Sequence, residues 1–67
     1  MKTQSECIEH YSREFIKVFS QWGAESDYTT LAFYKLQAAR LGMTGRELHD
    51  WANTENLRLK QITLDHV

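Results

Sequence analysis

Residues 36–51 read LQAARLGMTGRELHDW, and they combine two apolar helical patterns around a short turn that contains glycine. Gly42 lies between the two patterns, and glycine readily adopts the left-handed backbone conformation with which many helices end. Ala38 has a small side chain, which lets a second helix approach closely. The stretch therefore predicts two helices that pack against each other across a tight turn at Gly42.

Upstream of this stretch, a first helix is predicted over residues 4–22. Thr3 and Glu6 have the spacing of a capping box, in which two side chains satisfy free N–H groups at a helix start. Gly23 follows the predicted helix and can end it. The large apolar residues of this range fall on one face of a helix: Ile8, Tyr11, Phe15, Val18, Phe19 and Trp22.

A second helix is predicted from residue 27 or 28 to residue 41, with Ser26 or Asp27 as its N-cap. Two apolar faces lie roughly a quarter-turn apart on this helix. The first comprises Leu31, Tyr34, Ala38 and Leu41, and the second comprises Tyr28, Ala32, Leu36 and Ala39. An apolar arc of this width predicts that the second helix packs against neighbours on two sides.

The third helix is predicted to begin at Gly45. Thr44 and Glu47 have capping-box spacing, and Met43 can pack onto Leu48 across the first turn. Residues 53–56 read NTEN and favour helix only weakly, so two alternatives stay open. The helix either continues, or it breaks and a short fourth helix covers residues 55–63, with residues 64–67 fraying. The chain is predicted to form one all-α domain over residues 1–67.

The same 16 residues resemble the helix-turn-helix of phage-repressor-like DNA-binding proteins. The resemblance rests on Ala38 at the helix contact, Gly42 in the turn, and apolar residues at Leu41, Met43 and Leu48. Gln37 departs from the pattern, because an aliphatic residue is common at that position. The resemblance implies a sharp corner between the two helices and a small bacterial or phage transcription regulator that acts as a dimer.

By this resemblance, the helix that begins at Gly45 would enter the major groove of double-stranded DNA. Arg46 would contact guanine and Asn53 would contact adenine. Thr44 and the free N–H groups at the helix start would hold a phosphate, and the two basic residues of the preceding helix would contact the DNA backbone. The predicted DNA-binding residues are Lys35, Arg40, Thr44, Gly45, Arg46, His49 and Asn53.

Charge and aromatic content favour an alternative. The net charge is −1, and Glu47 and Asp50 would face the DNA polyanion beside Arg46, which weakens binding. The chain also has two tryptophans, three tyrosines and three phenylalanines, and aromatic side chains are enriched in protein interfaces. The alternative is an adaptor or inhibitor that binds a protein partner. Its predicted interface residues, which include two leucines that would also suit a homodimer contact, are Phe33, Tyr34, Leu57 and Leu64.

Several other classes are not expected. Cys7 is the only cysteine, so no internal disulfide can form and a cytoplasmic location is expected. Cys7 and His10 are three residues apart, but a structural zinc site needs four ligands, so neither a metal nor another cofactor is expected. No pattern assembles a nucleophile with its base, so no enzymatic activity is expected. No apolar run approaches the ~20 residues that span a membrane.

Overall fold

A computed structural model describes the backbone over residues 3–65 and the side chains of residues 3–62. It contains three helices, α1 (Gln4–Trp22), α2 (Asp27–Arg40) and α3 (Gly45–Asp65), and no strand within the described residues. The all-α class predicted from the sequence is confirmed. The predicted bounds of the first helix match α1, and α2 ends one residue before the predicted end.

The first two helices begin with side-chain caps. The Thr3 hydroxyl accepts a hydrogen bond from the Glu6 backbone N–H at 3.2 Å, and the Ser26 hydroxyl accepts one from the Tyr28 N–H at 3.1 Å. At the end of α1, Gly23 has φ +83° and its N–H donates to the Phe19 carbonyl. Short-range hydrogen bonds therefore set these helix ends, as the sequence predicts.

α3 is one continuous helix, so of the two alternatives left open by the sequence the uninterrupted helix is confirmed and the short fourth helix is wrong. Ala52 directly before the weak helix-forming segment and Asn56 at its end are both buried, so packing outweighs local preference there. The Asn56 side-chain oxygen is buried without a hydrogen-bond partner, which shows that packing of this turn comes at a cost. Of the residues predicted to fray, 64 and 65 are helical, and 66 and 67 lie outside the described residues.

α2 is the central helix, and α1 runs antiparallel to it. The Gln4 side-chain amide, at the start of α1, donates to the Arg40 carbonyl at the end of α2. At the opposite end, the Trp22 and Tyr28 rings lie 5.0 Å apart between centroids. The two helices therefore contact each other from one end to the other.

α3 also runs antiparallel to α2, along its full length. Leu48 packs with Ala38 in the core, and the Tyr34 and Trp51 rings lie 6.1 Å apart. Further along, the Lys60 ammonium lies 2.7 Å from the carboxylate of Asp27, the first residue of α2. As the residue number rises along α3, that of its contact on α2 falls. The backbone of α2 packs against both α1 and α3, so α2 lies between the two outer helices.

The predicted helix-turn-helix corner is not confirmed, because this contact pattern describes a helical hairpin. The turn contains Gly42 at φ +92° and leads into Gly45 at φ +55°. The contacts of α3 with α2 show that the chain reverses its direction across this turn. The physical reason is the first apolar face of α2, because its residues Ala38 and Tyr34 pack with Leu48 and Trp51 of α3. Since this face extends over several turns, α3 buries more apolar area by lying along it than by crossing it at one point.

The core lies at the end of the molecule where α2 leads into α3. Cys7, Ala38, Ala39 and Leu48 form it, and four half-buried residues pack around them: Ile8, Tyr11, Met43 and Trp51. Met43 packs against the cluster that contains Leu48, as predicted. Leu48 is the only large side chain that is fully buried among the described residues. The Cα atoms span 42 × 25 × 14 Å, so the helices form a thin layer.

The caps lead to a first prediction. Ser26→Ala is expected to lower the free energy of unfolding by about 1 kcal/mol, because the Tyr28 N–H loses its acceptor. Thr44→Ala is expected to cost less. The Thr44 hydroxyl forms no hydrogen bond among the described residues, and only its carbonyl accepts, from the Leu48 N–H at 3.4 Å. Thermal unfolding of the two variants side by side tests this, and an equal or larger loss for Thr44→Ala would contradict it.

Candidate functional site

A groove of about 270 Å³ opens between α1 and α3, and α2 forms its floor. Its lining residues are Phe15, Phe19, Ala24, Thr29, Thr30, Phe33, Tyr34 and Leu59. At the other end of the molecule, side chains of α1 and α3 meet, with the Tyr11 and His49 rings 6.4 Å apart. The groove therefore lies where the two outer helices leave α2 uncovered between them.

Aromatic rings hold one another in place along the groove. The Phe15 ring lies 6.1 Å from the Phe33 ring and 6.0 Å from the Phe19 ring. Phe33 also contacts Tyr34 at 5.7 Å, and Tyr34 contacts Trp51 on α3. Ring pairs at these separations attract each other beyond the effect of their buried area. The apolar wall is therefore already arranged before any ligand binds.

The groove continues into an exposed apolar surface. Phe19, Phe33 and Leu59 remain 46%, 41% and 40% exposed although they line the groove. Ile62 is 49% exposed. It follows Lys60 on α3, and because Lys60 contacts the first residue of α2, Ile62 lies near that end of α2. We call these four residues the apolar face. Large apolar side chains that stay exposed around a groove are typical of a binding site.

The lining of the groove is mainly apolar and carries no charged side chain. It contains no carboxylate, imidazole, thiol or amine. The Thr29 hydroxyl donates to the Gly23 carbonyl and the Thr30 hydroxyl donates to the Ser26 carbonyl, so both are already used by the backbone. Within the described part of the chain, no group of three or more His, Cys, Asp or Glu residues could hold a metal ion. A ligand of this groove would be held by apolar contact.

The residues predicted to bind DNA occupy different surfaces. Thr44, Gly45, Arg46, His49 and Asn53 are all exposed along the first turns of α3. Arg46 lies 3.8 Å from the Asp50 carboxylate, so its charge is partly balanced on its own helix. The two basic residues of α2 are not brought together. Lys35 is half-buried and Arg40 is exposed, and their spacing puts them about 140° apart around the helix.

Of the residues predicted for a protein interface, some line the groove and others do not. Phe33 and Tyr34 line the groove. Leu57 is 59% exposed, but it is two positions from Leu59 and therefore points to another side of α3. The Leu64 side chain lies outside the described residues. The contributions of Phe15, Phe19 and Leu59 were missed, because their apolar stripes indicated core positions in α1 and α3.

Tyr11 lies at the end of the molecule where side chains of α1 and α3 meet, away from the groove. Its ring contacts His10 at 4.8 Å as well as His49. Burial raises the pKa of the Tyr11 phenol above its usual value, and the nearby Cys7 and Glu14 raise this pKa further. The phenol therefore stays neutral at physiological pH, and its role is to pack α1 against the start of α3.

Comparison of the chain with protein families, with curated proteins and with solved structures finds no match. Among the described residues, none of the helices combines the length and the apolar character needed to cross a membrane. The groove and the apolar face are thus the features from which a function can be argued.

Proposed function

We propose that this protein is a small helical interaction module that binds polypeptide through the groove between α1 and α3. The observation that carries the proposal is the groove itself, with its uncharged lining, its mutually packed rings and its exposed rim. The occupant would be an amphipathic helix, because apolar residues at helical spacing match a narrow apolar groove. By binding a helix of a partner protein in this groove, the protein would act as an adaptor or as an inhibitor of that partner.

DNA binding is the second candidate, and one observation supports it. Arg46, His49 and Asn53 are exposed together on α3. Two features weigh against it. The antiparallel packing of α2 and α3 keeps the start of α3 alongside its neighbour, and the net charge is −1. Phosphate neutralisation dominates the affinity of most DNA-binding proteins, so a chain without basic excess binds weakly.

A fluorescence-anisotropy titration with a random DNA duplex at low salt separates the two candidates. We expect no salt-dependent binding at tens of micromolar protein. We also expect Arg46→Ala and Asp50→Asn to leave this result unchanged. If duplex binds, weakens as salt rises, is weaker still with Arg46→Ala and is equal or stronger with Asp50→Asn, the protein is a DNA-binding protein and our proposal is wrong.

The groove itself can be tested with a defined probe. The probe is a 15-residue alanine-based helical peptide that carries leucines along one face, and its binding is measured by calorimetry. Leu59→Ser is expected to weaken binding about tenfold, because a groove contact loses its apolar surface.

The matched control for this experiment is Leu57→Ser. It makes the same change two residues away, at a leucine that is outside the groove, so the affinity should stay within about twofold of wild type. Circular dichroism checks that both variants keep their helices. Equal affinities for the two variants, or no binding by the wild type at a concentration at which it is monomeric, would contradict a polypeptide-binding groove.

A further inference from the structure

The molecule exposes more surface than a monomer of its mass should. Its accessible surface is 5149 Å². The size scaling of monomeric proteins gives about 4,400 Å² for a chain of 7.9 kDa. The excess of about 700 Å² is close to the roughly 800 Å² that each partner contributes to an interface of standard size. The excess accessible surface of the single chain is therefore about as large as the area that one partner buries in an interface of standard size.

The shape accounts for this excess. The radius of gyration is 12.3 Å, whereas a compact domain of this length would have about 11 Å. Globular domains normally bury their apolar faces between two packed layers of secondary structure. Here three helices form a layer 14 Å thick, and apart from Leu48 the fully buried core positions are alanines: Ala38, Ala39 and Ala52. A second layer that packs on the apolar face would give such a core its second side.

The charges around the groove favour a second copy as the occupant. In a symmetric dimer the same surface meets itself, so any net charge in its centre would repel its own image. The groove lining carries no charged side chain. On the neighbouring part of α3, the Glu55 carboxylate and the Arg58 guanidinium lie 3.6 Å apart and balance each other. The groove lining and this ion pair therefore carry no net charge that would repel a second copy.

We propose that a second copy of this chain covers the groove in a symmetric dimer, in which two three-helix layers pack through their apolar faces. The dimer rests on the proposed function, because it assigns an occupant to the same groove. Phe33 and Leu59 lie in this interface, whereas Leu57 lies outside it. The dimer buries the rings that the single layer leaves exposed and supplies the missing half of the core.

Sedimentation equilibrium of the full chain from 1 to 200 µM tests the dimer. We expect the mass of the wild type to approach twice 7.9 kDa as the concentration rises. Phe33→Glu is expected to raise the dimer dissociation constant at least 100-fold, because each copy then buries a carboxylate against its partner. Leu57→Glu adds the same charge outside the groove, and it should change the constant less than threefold.

Phe33 is 41% exposed in the single chain, so Phe33→Glu should remain helical as a monomer. Circular dichroism at matched concentration checks this. If the variant does unfold, the interface can be located with the wild type alone. The measurement is NMR of a mixture of differently labelled wild-type copies. Nuclear Overhauser effects between copies are expected at the Leu59 and Ile62 side chains and not at Leu57.

The outcomes separate the dimer from the proposed function. A wild type that stays monomeric at 200 µM but still binds the leucine-faced peptide overturns the dimer and leaves the interaction module intact. A monomer that binds no peptide overturns both. A dimer that Leu57→Glu disrupts and Phe33→Glu does not would place the interface elsewhere and overturn the assignment of the groove.

Discussion

Leu48→Ala is expected to leave most of the protein unfolded at 25 °C. Leu48 has no exposed surface and is the only large side chain that is fully buried among the described residues. Truncating a buried leucine to alanine costs about 3–4 kcal/mol, because apolar contacts are lost and a cavity remains. A single core in a chain this short rarely supplies more than about 3–5 kcal/mol, so the loss approaches the whole stability.

Far-UV circular dichroism and thermal unfolding measure this effect. Both should be compared at one fixed protein concentration, because any self-association adds stability. Leu57→Ala is the matched control, since Leu57 is 59% exposed and the same truncation should cost less than about 0.5 kcal/mol. A Leu48→Ala variant that keeps its helical signal and melts within a few degrees of wild type would contradict the core described here.

Ala38→Leu is expected to have the second-largest effect, with a loss of about 2 kcal/mol. Ala38 has no exposed surface and lies on α2, where it packs with Leu48 of α3. A larger side chain there must push the two helices apart or adopt a strained rotamer. Alanine and leucine differ by only a few tenths of a kcal/mol in helix propensity, so the loss reports packing and not helix formation.

The measurement is again the thermal midpoint, which should fall by about 10 °C for a domain of this size. Gln37→Leu is the control, because it introduces the same side chain on the adjacent, half-buried position. That change should alter stability by no more than about 0.5 kcal/mol. If Ala38→Leu were neutral or stabilising, α3 would not approach α2 as closely as the structure indicates.

Local features predicted the helices well. Thr3, Ser26 and Gly23 act within a few residues of the helix ends that they set, so short-range spacing is enough to find them. The two apolar faces of the second helix likewise predicted neighbours on both sides, and α1 and α3 do pack there. These predictions required no knowledge of how the helices are arranged.

Long-range features were harder to predict. Residues 53–56 favour helix weakly, yet α3 continues through them because Ala52 and Asn56 pack into the structure. Ala38, Gly42 and the apolar residues around them suit both a sharp corner and an antiparallel hairpin. The contacts that distinguish the antiparallel hairpin from a sharp corner, such as that between Asp27 and Lys60, join residues far apart in the chain.

The amino-acid pattern alone determined that this protein is all-α, where its first helix starts and ends, and which residues are apolar. Only the tertiary structure decided that α2 lies in the middle of one thin layer and that Phe15, Phe33 and Leu59 meet around an open groove. Helix ends depend on hydrogen bonds between near neighbours in the chain. The direction in which helices pack depends on apolar area buried between distant segments, and that area is defined only once the chain has folded.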